Sequence, residues 1–263
     1  MKASESRSVQ IQTVLFFSLV IVVVILSILN VTNAFLLNVP EEPEPEVTGT
    51  YIRLGELTLR EKIAQMIIGN CKDESVEPYR KMRLGGVFFW AMDSPEAFSG
   101  QVERFQEGRS IPMFVSADLE GCLNPFENFR NFSSVADLET SGDALLFGQE
   151  HGRTLRSLGF NLNFAPVVDL NDTIWKCRSF QGSTDEVAEK AAAYVRGLQG
   201  EGILATLKHY PGKTLIGRDP HKYVIETVIE EKDLYPYEYC FHEEEPGAVM
   251  VSHHIAAGAV SSD

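Results

Sequence analysis

Residues 203–212 read Ile-Leu-Ala-Thr-Leu-Lys-His-Tyr-Pro-Gly, and this stretch decides the fold. Its first half is an apolar run that follows Gly202, which is typical of a buried β-strand. Its second half changes at once to charged and aromatic residues and ends at Pro211 and Gly212, which interrupt regular structure. The stretch therefore predicts a buried strand that carries polar side chains at its carboxyl end.

Similar apolar runs occur along the chain, and helical patterns lie between them. The predicted strands are Gly86 to Trp90, Pro112 to Ala117, Phe160 to Val168, Ile203 to Leu207 and Ala248 to Ser252, with a sixth at Met66 to Gly69. The spacing of a capping box predicts helix starts at Thr58 and Ser183, and the second helix is alanine-rich through Leu198. Strands that alternate with helices imply parallel βαβ units and an α/β fold.

The number of predicted strands limits the architecture. A closed (β/α)8 barrel has eight strands in roughly 250 residues. The sequence predicts about six βα units within residues 51–263, which is fewer than a closed barrel requires. We therefore expect a TIM-barrel-like fold that is incomplete at its C-terminal side.

The composition is that of a folded protein with an acidic surface. Hydrophobic residues make up 44% of the chain and charged residues 23%, which is enough to form one large domain. The formal net charge is -14 and the sequence pI is about 4.9. Nucleic acid is excluded as an expected partner, because phosphate backbones are bound by clustered lysine and arginine.

The N-terminal region has the pattern of a membrane-targeting segment. Residues 14–29 are apolar except for two serines, and Lys2 and Arg7 precede them. We expect a cytoplasmic N-terminus (1–13), a transmembrane anchor (14–37), a Pro/Glu-rich stalk (38–50) and an extracytoplasmic domain (51–263). Cleavage near Ala34, which would release the protein as a secreted form, is the alternative.

Four cysteines are widely separated and form no C-x-x-C pair; they are Cys71, Cys122, Cys177 and Cys240. The spacing gives no support for a zinc ribbon or a thioredoxin-type site. Disulfides are possible outside the cell, but a domain of this size does not need them. We therefore expect isolated thiols rather than bridges.

Polar motifs follow the predicted strands, where the active sites of parallel α/β folds lie. In order they are D-x-E-G (118–121), A-P-V-x-D (165–169), R-S-F (178–180), K-H-x-P-G (208–212), D-x-H (219–221) and S-H (252–253). Together these motifs resemble the N-terminal, TIM-barrel domain of the family 3 glycoside hydrolases, from about residue 52 onward. The D-x-H element resembles the β-N-acetylglucosaminidase subgroup in particular.

The resemblance implies a role for each motif. His221, supported by Asp219, is expected to be the general acid and base, since an imidazole can donate and accept a proton near neutral pH. Four substrate-binding residues are expected to bind sugar hydroxyls and line the pocket; they are Asp118, Arg178, Lys208 and His209. The implied substrate is a carbohydrate, and no metal and no organic cofactor is expected.

Structural interpretations of the same residues stay open. Asp118 and Lys208 could form a buried ion pair, and His209 could be a core histidine with a satisfied partner. Asp219 and His221 could be ordinary loop residues. A metal site at His253 and His254 is not expected, because adjacent strand residues point to opposite faces.

The sequence also departs from the family pattern. Lys213 and Thr214 stand where the family has His-Gly, and Pro220 stands at the usual Ser or Thr position. Cys122 stands where the family has a second glycine, and Arg130 is the nearest candidate for an arginine expected after that motif. These departures leave the substrate preference open.

The resemblance implies an aspartate nucleophile at the end of the seventh strand, beyond residue 263, and Asp263 is expected to be a turn residue. The leading hypothesis is a retaining β-N-acetylhexosaminidase that releases terminal GlcNAc from glycans such as peptidoglycan fragments. The alternatives are a β-glucosidase or β-xylosidase of the same family, and an inactive, membrane-tethered sugar-binding fragment without the nucleophile. The sequence does not indicate an oligomeric state.

Overall fold

The structure is a computed structural model that describes residues 52–258, together with Val24, Ile25 and Ser27. The predictions of an anchor, a stalk and a turn at Asp263 therefore concern residues that lie outside the described part, apart from those three positions. Within the described part, no helix combines the length and the apolar character that crossing a membrane requires.

The described residues form an alternating series of strands and helices. The strands are β1 (Ile68–Asn70), β2 (Gly86–Phe88), β3 (Phe114–Ala117), β4 (Leu162–Asn163), β5 (Leu204–Tyr210), β6 (Glu226–Ile229), β7 (Ala248–Val251) and β8 (Ile255–Gly258). The α-helices are α1 (Leu59–Gln65), α2 (Val76–Met82), α3 (Pro95–Gln106), α4 (Ser141–Ser157), α5 (Thr184–Gly200) and α6 (Glu231–Glu243). Short 3-10 turns occur at Leu54–Glu56, Asp73–Ser75, Val135–Asp137 and Lys176–Arg178.

Six of the strands form one parallel sheet in the order β1-β2-β3-β4-β5-β7. The α/β fold and the six parallel strands of an incomplete barrel are confirmed. Within the described residues, β1 and β7 are the two edges of this sheet, so it stays open. Because all six strands run in one direction, their carboxyl ends lie along the same rim.

Some strand bounds differ from the predicted ones. The predicted strand from Phe160 to Val168 is reduced to β4, which spans Leu162–Asn163. Pro166 lies just beyond it and has no N–H to donate to a neighbouring strand. The backbone still follows β5, because the carbonyl oxygens of Ala165 and Pro166 accept hydrogen bonds from the N–H groups of Thr206 and Lys208. The other predicted strands differ from the observed ones by one to three residues at their ends.

The structure also contains a second sheet, which was not predicted from the sequence. β6 and β8 pair in parallel as a separate two-stranded sheet, with Glu226 opposite Ile255. The run Thr227-Val228-Ile229 consists of β-branched residues and was a usable signal for β6. The run Ile255-Ala-Ala-Gly has a low intrinsic strand preference, so β8 depends on its pairing with β6.

Both predicted capping boxes are present. The Thr58 hydroxyl accepts a hydrogen bond from the Glu61 N–H at 3.3 Å, and the Glu61 carboxylate accepts one from the Thr58 N–H at 2.8 Å. Ser183 and Glu186 form the same reciprocal pair at the start of α5. These caps satisfy N–H groups that have no partner inside the helix.

The core contains a cluster of phenylalanines between the sheet and α3. Its rings lie 5.0 to 6.1 Å apart, mostly edge to face, and belong to Phe89, Phe98, Phe105, Phe126 and Phe160. Each is at most 3% exposed, so the cluster combines apolar burial with favourable ring geometry. It anchors β2 and the segments before β4 and after β3, which lead into the loops of the rim.

Helices α4 and α5 cross closely at two glycines. A Cβ atom on Gly148 would lie 2.4 Å from the Tyr194 carbonyl oxygen, and one on Gly197 would lie 2.3 Å from the Leu145 carbonyl oxygen. Both obstacles are backbone atoms, which move only with their helix. The crossing therefore requires glycine at both positions.

We expect Gly197→Ala to lower the free energy of unfolding by about 2–4 kcal/mol, because the added methyl group forces the two helices apart. Urea unfolding followed by circular dichroism measures the loss. Gly200→Ala is the matched control: it lies on the same helix, a Cβ there meets nothing within 4 Å, and no loss is expected. Equal stability of the two variants would contradict the tight crossing.

His151 on α4 is buried and predicts a pH-dependent stability. Its Nδ1 lies 2.8 Å from the Tyr194 hydroxyl, and burial lowers the pKa of His151 from 6.5 to about 3. Between these two values the unfolded chain binds a proton that the folded protein does not bind, so stability falls as the pH is lowered below 6.5. From pH 7 to pH 5 this contribution amounts to about 2 kcal/mol.

The test compares the stability of wild-type protein and His151→Gln by urea unfolding at pH 7 and pH 5. The variant should lose less stability on acidification, because the titrating group is gone. His242→Gln is the control, since the His242 side chain is 85% exposed. An identical loss in wild type and His151→Gln would show that His151 is not the proton-binding group.

Candidate functional site

Four charged side chains meet at the carboxyl ends of β3 and β5. The Lys208 ammonium lies 2.7 Å from the Asp118 carboxylate and also pairs with Glu120. Glu120 in turn accepts two hydrogen bonds from Nη1 of Arg178, at 3.0 and 3.2 Å. The structure thus brings together three of the predicted substrate-binding residues, Asp118, Arg178 and Lys208.

Glu120 is the centre of this network, although no role was predicted for it from the sequence. It is 1% exposed, Lys208 is 3% exposed, and Arg178 is 6% exposed. A buried carboxylate between two buried cations compensates charges that would otherwise be costly to bury. The signal was available, since Glu120 belongs to the D-x-E-G motif and a glutamate is rarely buried without such a role.

Arg178 has N–H donors that form no hydrogen bond with the described residues. Among the described residues, its Nε and Nη2 atoms are buried and have no hydrogen-bond partner. Its guanidinium lies over the Trp175 ring, with Cζ 4.6 Å from the ring centroid. Buried donors normally find acceptors, so these two groups suit a ligand rich in hydroxyl or carbonyl oxygens.

Asp172 fixes the loop that carries Arg178. Its Oδ1 accepts hydrogen bonds from the N–H groups of Ile174 and Trp175 at 2.8 and 2.9 Å, and its Oδ2 accepts one from the Ser179 hydroxyl at 2.9 Å. Asp172 is buried, so these bonds are shielded from water. The positions of Trp175 and Arg178 are therefore set by the loop itself.

A disulfide joins the two loops of this network, and the expectation of isolated thiols is wrong for Cys122 and Cys177. These cysteines are bonded although they lie 55 residues apart in sequence. Parallel strands bring their loops to the same rim, which sequence separation does not reveal. Cys71 and Cys240 are free, and burial raises the pKa of their thiols to about 11 and about 12.

Asp169 forms a second buried centre next to the first. Its carboxylate accepts hydrogen bonds from the His209 ring at 2.7 Å, from the His209 N–H at 3.2 Å, and from the Thr214 hydroxyl at 2.9 Å. His209 therefore has the satisfied partner that its structural interpretation requires. Thr214 is a departure from the family pattern, and its hydroxyl is used to hold this carboxylate.

Asp219 and His221 form a hydrogen-bonded pair on the loop after β5. The Asp219 Oδ1 lies 2.9 Å from the His221 Nδ1 and accepts a second hydrogen bond, at 2.9 Å, from the His221 N–H. This backbone N–H lowers the pKa of the Asp219 carboxyl below its usual range, which keeps the carboxylate charged. The His221 side chain is 57% exposed and is therefore accessible to a substrate.

The pair faces the charged network through aromatic neighbours. The His221 ring centroid lies 6.2 Å from that of Trp175, which covers Arg178, and 5.8 Å from that of His253. The D-x-H and S-H motifs, the R-S-F loop and the charged network thus border one region of the rim. Their catalytic and binding roles stay predictions.

The remaining candidates lie elsewhere or have other partners. The strand predicted to end at Ser252 ends at Val251, so His253 and His254 follow β7 instead of lying on it. The His254 Nδ1 is hydrogen-bonded to the Ser252 hydroxyl. In residues 52–258, no three His, Cys, Asp or Glu side chains are grouped to hold a metal ion. Arg130 pairs with Glu150 at 3.1 Å.

The arrangement combines two chemical capacities. Asp219 and His221 provide a charged carboxylate that can orient an imidazole, which suits proton transfer to and from oxygen. Asp118, Lys208 and Arg178 provide an acceptor and charged donors for a ligand rich in hydroxyl groups. Both capacities are ones that an enzyme acting on sugars would use.

Comparisons with known proteins support the same assignment. The profile described as "Glycosyl hydrolase family 3 N terminal domain" matches residues 58–261. The chain is 28% identical over 226 residues to the beta-hexosaminidase LpqI of Mycobacterium bovis, covering 79% of this chain and 58% of the relative. It is 30% identical over 185 residues to a beta-N-acetylglucosaminidase/beta-glucosidase of Cellulomonas fimi, covering 64% of this chain and 32% of the relative.

Solved structures give the same fold. The structure of M tuberculosis LpqI superposes with a TM-score of 0.69 at 27% identity, covering 80% of this chain and 66% of that one. A family 3 beta-N-acetylglucosaminidase from Paenibacillus superposes with the same TM-score at 24% identity, covering 76% of this chain and 43% of that one. The chain spans 58% of the length of the mycobacterial relative.

Proposed function

Because the chain belongs to glycosyl hydrolase family 3 through its N-terminal domain, we propose that it is the sugar-hydrolysing domain of a β-N-acetylhexosaminidase. Its proposed substrates are glycans with a terminal N-acetylglucosamine, such as peptidoglycan fragments. The subgroup is supported by the names of the mycobacterial and Cellulomonas relatives. The observation that carries the proposal is the hydrogen-bonded pair of Asp219 and His221.

In the proposed reaction His221 is the general acid and then the general base. It protonates the leaving oxygen in the first step and takes a proton from water in the second, while Asp219 supports the charged imidazole. A retaining enzyme also needs a carboxylate nucleophile. We place this nucleophile on a further strand that would pair with β7.

The charged network would hold the sugar whose bond is cleaved. Asp118 is 38% exposed and can accept hydrogen bonds from sugar hydroxyls. Arg178 has two free buried donors, and Lys208 is held between Asp118 and Glu120. This arrangement supports tight, directional binding, because charge-assisted hydrogen bonds are stronger than neutral ones.

The test is hydrolysis by the full-length gene product. Release of nitrophenol from nitrophenyl N-acetylglucosaminide, with little release from the glucoside, would support the proposal. The opposite preference would support the β-glucosidase alternative, which the double name of the Cellulomonas relative favours. Binding of N-acetylglucosamine without any hydrolysis would support the sugar-binding alternative instead.

We further propose that the domain is extracytoplasmic and attached to the membrane by residues 14–37, with secretion after cleavage near Ala34 as the alternative. The Cys122–Cys177 disulfide supports an oxidising compartment. Cell fractionation and alkylation of denatured, unreduced protein test this location, because the native fold shields the two free thiols. Membrane association with two reactive thiols is the expected result, whereas a cytosolic protein with four reactive thiols would contradict it.

A further inference from the structure

A second cleft lies on the rim, at the carboxyl ends of β1 and β2. It is a cavity of about 230 Å³, and its lining includes Cys71, Lys72, Asp73, Trp90, Met92 and Gln101. These residues follow β1 and β2 directly or belong to α3, so the cleft faces the same side of the sheet as the charged network. None of them has a role in the proposed proton transfer.

The cleft presents an aromatic surface in a fixed orientation. Trp90 is 64% exposed, yet its Nε1 donates a hydrogen bond to the Asn70 side chain at 3.2 Å. Phe88 packs edge to face against it, with ring centroids 5.0 Å apart. A large aromatic residue that is held in place and left exposed is a favourable binding surface.

Two contacts connect this cleft to the candidate site. The Phe88 ring stacks on Phe164, which follows β4, with centroids 5.7 Å apart. The Asn128 side chain, in the loop after β3, donates a hydrogen bond to the Met92 carbonyl oxygen at 3.1 Å. The same loop contains Glu120 and Cys122. The cleft and the candidate site are therefore joined by direct contacts along the same rim.

We propose that this cleft is a second sugar subsite, which binds a pyranose ring of the glycan next to the N-acetylglucosamine that is released. A pyranose ring has an apolar face of C–H groups and a polar edge of hydroxyls. The Trp90 ring matches the face, and the side chains of Lys72 and Asp73 supply a donor and an acceptor for the edge. The inference rests on the proposed function, since it names the part of the substrate that this site would bind.

The test compares two substrates of the full-length gene product. One is N-acetylglucosaminyl fluoride, whose leaving group is a single atom and cannot reach a second subsite. The other is chitotriose, a chain of three N-acetylglucosamine units. We expect Trp90→Ala to raise KM for chitotriose about 10-fold and to leave kcat/KM for the fluoride unchanged, with Trp90→Phe in between. Leu146→Ala, at an exposed apolar position on α4, is the control and should change neither.

An equal change on both substrates, or no change on either, would overturn the proposal. If the wild-type protein hydrolyses neither substrate, the proposed function fails, and calorimetry with chitotriose then decides on the subsite alone. Weaker chitotriose binding by Trp90→Ala than by wild type would support the subsite. Equal binding by the two proteins would reject it.

Discussion

His221→Ala is expected to lower turnover on natural glycans by about 10²- to 10⁴-fold, which is the usual contribution of a general acid and base. The loss should be smaller on a nitrophenyl substrate, because nitrophenolate leaves without much protonation. It should not vanish, since the second step still needs a base to activate water. Steady-state kinetics of the full-length gene product on both substrates measures the difference.

Asp219→Asn should act in the same direction but less strongly, because the imidazole stays while its orientation and charge support weaken. His242→Ala, at an exposed histidine on α6, is the matched control and should leave turnover unchanged. Equal losses on the two substrates in His221→Ala, with folding intact, would show that His221 is not the proton donor.

Glu120→Gln is expected to lower the free energy of unfolding by about 3–5 kcal/mol, because it leaves Lys208 and Arg178 buried beside a neutral side chain. An amide has nearly the same shape as the carboxylate, so the loss reports the charge and not the packing. Sugar binding should weaken as well, since both cations would lose their fixed positions. Urea unfolding and calorimetry with N-acetylglucosamine measure the two effects.

Glu150→Gln provides the comparison for this substitution. Glu150 pairs with Arg130 at 3.1 Å, but both side chains are more than 40% exposed. A surface pair of this kind contributes about 0–1 kcal/mol, because water and salt screen it. A Glu120→Gln variant that is no less stable than Glu150→Gln would mean that the buried network does not depend on its central carboxylate.

The sequence predicted those features that depend on local patterns. Apolar runs gave the six strands of the main sheet, and parallel strands required Asp118 and Lys208 to share one rim although they lie 90 residues apart. The Asp219–His221 pair was predicted from the family resemblance of the D-x-H element, and two residues this close on one loop can contact each other without help from the rest of the fold.

Features that depend on how the loops fold could not be predicted from the sequence. The Cys122–Cys177 disulfide requires two loops to approach, and nothing in the spacing selects that pair from four cysteines. Glu120 and Asp169 belong to the D-x-E-G and A-P-V-x-D motifs, but their central positions follow from partners in distant loops. Thr214 was recognised only as a difference from the family pattern, whereas in the structure its hydroxyl donates a hydrogen bond to the Asp169 carboxylate.

The hydrogen bonds of Asp169 have a consequence for recombination with relatives. Its partners, His209 and Thr214, lie 40 and 45 residues further along the chain. A chimera joined between residues 169 and 209 would take Asp169 from one parent and His209 and Thr214 from the other. Its carboxylate would then have to pair with an imidazole and a hydroxyl that come from a different protein. Chimeras joined before Ala165 or after Thr214 inherit this carboxylate, imidazole and hydroxyl together, and we expect those junctions to give folded, soluble progeny more often.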